Sequence, residues 1–115
     1  TLATTQNDAP YAYADGTPVR NWYGEAYRGL SSLRLGIQNS MNIVAVKTLV
    51  DITPQLGYEY LLDFGFTTLV DNEEINGKVF SDIQPTLALG GITKGVKNIE
   101  LNASYATIAN GGEYL

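Results

Sequence analysis

Ser40 and Asn42 are the two side chains whose types and spacing best suit chemistry. A hydroxyl both donates and accepts a hydrogen bond, and a carboxamide does so through two separate atoms without carrying charge. Two residues apart, at the joint between two helices, the pair can be aimed together into one cleft. The plainer role is helix punctuation, with Asn42 as N-cap of the following helix, a position for which asparagine is among the strongest types. A Ser-x-Asn tripeptide is frequent by chance, so the residues around it decide between the two readings.

Two amphipathic segments must position the pair. The first is predicted from Ser31 or Ser32 to Asn39, with Leu30, Leu33 and Ile37 at i, i+3, i+7 forming an apolar face and a serine as N-cap. The second is predicted from about Asn42 to Ile52, with Ile43, Val46, Leu49 and Val50 on one stripe. Thr53-Pro54 reads as N-cap and first residue of a third helix, whose expected buried face is Leu56, Tyr60, Leu61 and Phe64 and whose stop is Gly65. A last helix is expected from about Asn98 to Asn110, burying Leu101, Tyr105 and Ile108 and ending at Gly111-Gly112. Asp15-Gly16 and Asn76-Gly77 each predict a tight turn or small hairpin. Residues 1–9 are polar and expected to be mobile or extended; 67–87 lack a period, and Leu87–Val96 is glycine-rich and irregular or extended.

Composition narrows the chemistry. The chain has 115 residues, enough for at most one domain or part of one, burying about two thirds of its unfolded surface. Without His or Cys it forms neither a Ser-His-Asp nor a Cys-His site, and the common zinc ligand sets are absent. The absence of cysteine leaves the redox compartment open. No apolar run approaches the roughly 20 residues of a membrane span. A net charge of −5, with seven scattered basic residues, argues against nucleic-acid binding. Gly90-Gly91 and Gly111-Gly112 lack the spacing of a phosphate cradle and read as backbone turns.

The residues flanking Ser40-Met41-Asn42 tip the balance toward a site. Pro18-Val19-Arg20-Asn21-Trp22, Tyr27-Arg28-Gly29 and Leu33-Arg34 lie upstream; Ala88-Leu89-Gly90-Gly91-Ile92-Thr93-Lys94-Gly95-Val96, Ile99-Glu100-Leu101 and Ala106-Thr107-Ile108-Ala109-Asn110-Gly111-Gly112 follow. In this order they resemble the transpeptidase domain of penicillin-binding proteins of the class A, bifunctional kind. The chain departs from that pattern at Lys97-Asn98, where Thr-Pro is common, and at Asn102, where a small apolar residue is usual. No serine here has a lysine three residues later, and no lysine begins a Lys-Thr-Gly or Lys-Ser-Gly triplet.

The resemblance implies a mainly α chain: the helical part of the penicillin-binding transpeptidase and serine β-lactamase-like α/β fold, with one or two short hairpins and no complete central sheet. Residues 1–115 are expected to be a partial transpeptidase domain, lying after the family's Ser-x-x-Lys motif and before its Lys-Thr-Gly motif. By resemblance the catalytic residues are Ser40, relaying a proton toward the leaving amine, and Asn42, which also binds substrate by donating its NH₂ to a substrate carbonyl while its oxygen holds the family's lysine ammonium. The implied parent is a serine-type D-Ala-D-Ala transpeptidase that cross-links peptidoglycan stem peptides through an acyl-serine intermediate and is acylated by β-lactam antibiotics, without cofactor or metal. It would work at the extracytoplasmic face of the bacterial membrane, anchored by a segment outside this chain. The isolated piece is expected to be inactive and, with apolar surface exposed, prone to self-association. The alternatives are a non-catalytic helical partner-binding module descended from a transpeptidase, and a β-lactam sensor or β-lactamase, which the Ala-Leu-Gly-Gly and Ala-Asn-Gly-Gly segments fit less well.

Overall fold

The computed structural model describes residues 1–113, and the chain divides into two compact units, Thr1–Ile52 and Thr53–Leu115. The first unit begins with strand β1 (Thr5–Asp8), antiparallel to β2 (Gly29–Ser32), with Thr5 opposite Ser32 and Asp8 opposite Gly29. The polar N-terminal stretch is thus extended and paired: backbone ladder bonds and the burial of Asp8, rather than apolar side chains, hold it. Between the strands, Asp15-Gly16 turns the chain as expected. Tyr13 N donates to Thr17 O at 2.8 Å, and Ala12 bridges Pro18.

Helix α1 (Leu33–Gln38) follows directly from β2, and α2 (Asn42–Ile52) follows α1 after a three-residue joint. Ser32 is the N-cap of α1, its Oγ accepting from Leu35 N at 3.2 Å. The apolar face expected for this helix points outward: Leu30 is 74% exposed and Ile37 72%. Leu30 belongs to β2, where alternation sends Ser31 inward instead. On α1 the buried residue is Gly36, because the helix meets α2 through backbone. A Cβ at Gly36 would lie 2.8 Å from Val44 Cγ1. The stripe on α2 is as expected at Ile43, Val46 and Leu49, with Val44 added and Val50 left exposed; Met41 and Val19 complete this core.

The second unit holds α3 (Pro54–Asp63), the hairpin β3 (Glu73–Ile75) and β4 (Lys78–Phe80), a 3-10 turn at Pro85–Leu89, and α4 (Asn98–Ala109). Thr53 caps α3, its Oγ1 accepting from Leu56 N at 3.3 Å, and Gly65 follows the helix at φ +96°. Asn76 and Gly77 both take positive φ, the mark of a type I′ turn, and join β3 to β4. The fold class is therefore as expected: helices with two small antiparallel pairs and no full sheet among the described residues.

In the second unit two more helical faces differ from the expectation. On α3 the buried residue is Tyr58, while Leu56 and Tyr60 are exposed. On α4, Leu101, Tyr105 and Ile108 face outward, and Glu100, Ser104 and Thr107 face the unit's interior. On α4 the reason is a buried carboxylate, one of two in this unit that organise loops. Glu100 accepts from Thr67 N at 3.1 Å and Thr67 Oγ1 at 2.6 Å; Ser104 and Thr107 return their hydroxyls to carbonyls of their own helix. Asp82, 2% exposed, accepts from Val70 N, Thr93 N and Thr93 Oγ1, each at 2.8 Å. Without Asp82 these loop amides would lack partners.

Gly36→Ala should destabilise the folded domain by about 1–2 kcal/mol in denaturant titrations, since overpacking against the stiff, buried Val44 outweighs the roughly 1 kcal/mol helix-propensity gain. Acid should act through Asp82. Burial raises its pKa, but the bonds from Val70 and Thr93 outweigh that and hold it below the ordinary carboxylate value. A depressed folded pKa contributes stability that is complete above the unfolded value near 4 and is lost as pH falls through the folded one. Thermal melts should therefore be flat near neutrality and fall below about pH 4, and Asp82→Asn should be less stable at pH 7 with a shallower acid decline.

Candidate functional site at the α1–α2 joint

The joint Asn39–Met41 is a Schellman-type stop. Asn39 is the C-cap of α1, Ser40 N donates to Ile37 O at 3.4 Å, and Met41 N to Gly36 O at 2.9 Å. Ser40 sits at the left-handed position of this motif, with φ +50°. Glycine is the usual occupant there, because a Cβ at positive φ crowds the backbone. Ser40 is exposed, and its Oγ has no hydrogen-bond partner among the described residues. Met41, 1% exposed, drives its side chain into the core and anchors the joint. The strain at Ser40 therefore serves no bond made by its own hydroxyl within the described residues.

Asn42 opens α2, but its side chain does not cap it. Met41 occupies the cap position, its carbonyl accepting from Ala45 N at 3.1 Å, and the Asn42 Nδ2 donates to Arg20 O at 2.9 Å. That bond fixes the carboxamide's orientation. One N–H is spent on Arg20, while the other and Oδ1 have no partner among the described residues. The helix start is capped from elsewhere: Asn21 Oδ1 accepts from Ile43 N at 3.0 Å. Asn42 is thus not needed as a cap, because a distant side chain satisfies the helix start.

Asn21, 5% exposed, is held in turn by Asp8, its Nδ2 donating to Asp8 Oδ1 at 2.7 Å. The other Asp8 oxygen accepts from Tyr23 OH and, at 2.9 Å, from Arg28 N. Burial raises the Asp8 pKa, but these donors outweigh it and keep the carboxylate ionised. Burial and the neighbouring Asp8 carboxylate push the Tyr23 phenol up to about 12, so it stays a donor. The Arg28 guanidinium lies 4.2 Å from the centre of the Tyr23 ring. Trp22 packs edge-on to Tyr23 and donates Nε1–H to Asn39 O at 2.7 Å, beside Ser40. Sequence reasoning singled out Pro18–Trp22 as a motif but assigned no role to Asn21, and it treated Asp8 as part of a polar tail. The signal for Asn21 was the apolar residue at the α2 cap position, which obliges the helix to find a cap elsewhere.

The family model for the penicillin binding protein transpeptidase domain matches residues 1–115. The chain belongs to that family. Penicillin-binding protein 4 of Bacillus subtilis is 29% identical over 99% of the chain, and penicillin-binding protein 1A of Streptococcus pneumoniae is 31% identical over 97%. The crystal structure of penicillin-binding protein 1A from Haemophilus influenzae superposes with a TM-score of 0.77 at 25% identity, covering 99% of the chain. The chain spans 16% of the length of the first of these relatives, 15% of the second, and 16% of the solved chain. The class A resemblance read from the motifs is thus the family found. Among the described residues no helix is long and apolar enough to cross a membrane.

Ser40→Gly should stabilise the domain by about 0.5–1 kcal/mol, because relief of roughly 1–2 kcal/mol of left-handed strain exceeds the extra unfolded-chain entropy of glycine. Thermal denaturation beside wild type measures it; a destabilised Ser40→Gly would show that the serine side chain supports the joint.

Proposed function

We propose that this chain is part of a peptidoglycan D,D-transpeptidase in which Ser40 and Asn42 belong to the active site. The observation that carries the reading is a strained serine whose hydroxyl has no partner among the described residues, two residues before an asparagine excused from capping. A fold built only for stability would place glycine at the first position and a capping side chain at the helix start. In the reading we adopt, a serine outside residues 1–115 attacks the carbonyl of the D-Ala-D-Ala bond. The bond to the leaving D-Ala amine breaks, and Ser40 passes that amine the proton it needs. Asn42 offers its second N–H to a substrate backbone carbonyl and its Oδ1 to the ammonium of the family's lysine, an arrangement a carboxylate could not make without adding charge. The acyl-serine is then transferred to an amine of a neighbouring strand, forming the cross-link.

β-Lactam antibiotics enter the same reading as substrates that acylate the serine. The enzyme would act at the extracytoplasmic face of the membrane. Residues 1–115 alone would be inert, because Ser40 and Asn42 supply no activated nucleophile.

In the complete protein, Ser40→Ala should slow acylation by a labelled penicillin about 10²- to 10⁴-fold, the usual contribution of a positioned proton relay. Stability should change by less than about 0.5 kcal/mol, since alanine keeps the same Cβ at the same φ and no bond to the hydroxyl is lost. Stopped-flow acylation at the wild-type rate would exclude Ser40 from the reaction.

A further inference from the structure

Three consecutive residues grip the Ser40–Asn42 joint from outside it. Arg20 O holds the Asn42 carboxamide, Asn21 Oδ1 caps α2 at Ile43, and Trp22 Nε1 holds the Asn39 carbonyl. Asn39, Asn42 and Ile43 bracket Ser40, so the direction of both site side chains depends on where residues 20–22 lie. A helix start can be satisfied locally by a serine, threonine, aspartate or asparagine at its own cap position. Here that position is given to the buried Met41, and the cap is imported from 22 residues away.

The imported cap is itself clamped. A carboxamide at a helix start can flip, exchanging its acceptor for its donors. Asn21 cannot, because Asp8 accepts from its Nδ2 while Ile43 donates to its Oδ1. Asp8 is fully buried at 0% exposure, and among the described residues the side-chain bonds its carboxylate accepts come from Asn21, Tyr23 and the Arg28 backbone. Its carboxylate therefore ties β1 to the 21–28 segment that carries the grip.

From this geometry we infer that Asn21, oriented by Asp8, is a positioning residue for the transpeptidase reaction: it sets where Asn42 and Ser40 point without touching substrate. The inference rests on the assignment of Ser40 and Asn42 to the active site. It predicts that loss of Asn21 harms the chemical step more than substrate binding, because a displacement of about 1 Å at a reacting group can cost about 10²-fold.

The test uses the complete protein and a labelled penicillin, with stopped-flow traces resolved into the noncovalent Kd and the acylation rate constant. Asn21→Ala should lower the rate constant about 10- to 100-fold with Kd changed less than about threefold. In an Asn42→Ala background the same substitution should have little further effect, because it acts through Asn42. A folded Asn21→Ala enzyme acylated at the wild-type rate, or one whose defect multiplies fully with that of Asn42→Ala, would overturn the inference.

The exchange Asp8→Asn with Asn21→Asp provides the second arm. Asn at 8 can accept from Tyr23 and Arg28 through its oxygen and donate to Asp at 21, which accepts from Ile43 with its charge at the favourable end of α2. The rate constant of this exchanged enzyme should lie within about threefold of wild type. If neither single variant folds, the exchanged enzyme decides: a loss of tenfold or more in a folded protein overturns the inference. Wild-type rates for both Ser40→Ala and Asn42→Ala would instead overturn the active-site assignment itself, and the two failures are thereby distinguishable.

Discussion

The first unit is organised around one buried carboxylate. Asp8 is removed from water, a costly act for a charge unless donors replace the hydration it loses. Asn21, Tyr23 and the Arg28 backbone supply those donors, and each comes from the long connection between β1 and β2. The cost of burying the charge thus becomes a constraint on a segment that has no helix or strand of its own. Relax that constraint and the Asn21 cap, the Arg20 carbonyl and the Trp22 contact all lose their reference. The joint between α1 and α2 would then be held only by Met41 in the core and by the Schellman bonds.

The second unit uses the same device twice. Asp82 collects donors from Val70 and Thr93, and Glu100 collects both donors of Thr67. In each case an acceptor-only group gathers backbone N–H groups that a loop cannot satisfy for itself. This accounts for α4 turning its polar side inward. An ionised Glu100 with two donors is satisfied only on that side, and the neighbouring Ser104 and Thr107 bury without penalty by bonding their own helix. The apolar side of α4, with Ile99, Tyr105 and Ile108 well exposed, is left to the solvent-facing surface of this unit.

Stability and chemistry pull apart most visibly at Ser40. The stop signal of α1 asks for glycine, and the chain has glycine at positive φ at Gly65 and Gly111, where α3 and α4 end. Thr53, which follows α2 at φ +78°, also departs from glycine, but its hydroxyl caps α3, whereas the Ser40 hydroxyl has no partner among the described residues. Met41 and Asn42 repeat the pattern in a milder form, since an apolar residue takes the cap position and the natural capping type is moved one place on, where its amide faces the Arg20 carbonyl instead.

Local signals determined much of this protein. The helix starts at Ser32 and Thr53, the turn at Asn76-Gly77, the stops at Gly65 and Gly111, and the inward stripe of α2 all follow from residue types within one or two turns of one another. The Ser40-Met41-Asn42 joint and its family were legible for the same reason, as motifs contiguous in the chain. What only the tertiary structure decided depends on partners far apart in sequence. Asp8 reads as part of a polar tail until residues 21–28 surround it, and Asn21 has no evident role until it meets Ile43. The role of Gly36 emerges only when α2 packs against its bare backbone. The inward faces of α1 and α4 could not be settled by apolar periodicity, because a close backbone contact, or a carboxylate satisfied by donors from another segment, turns a helix face inward.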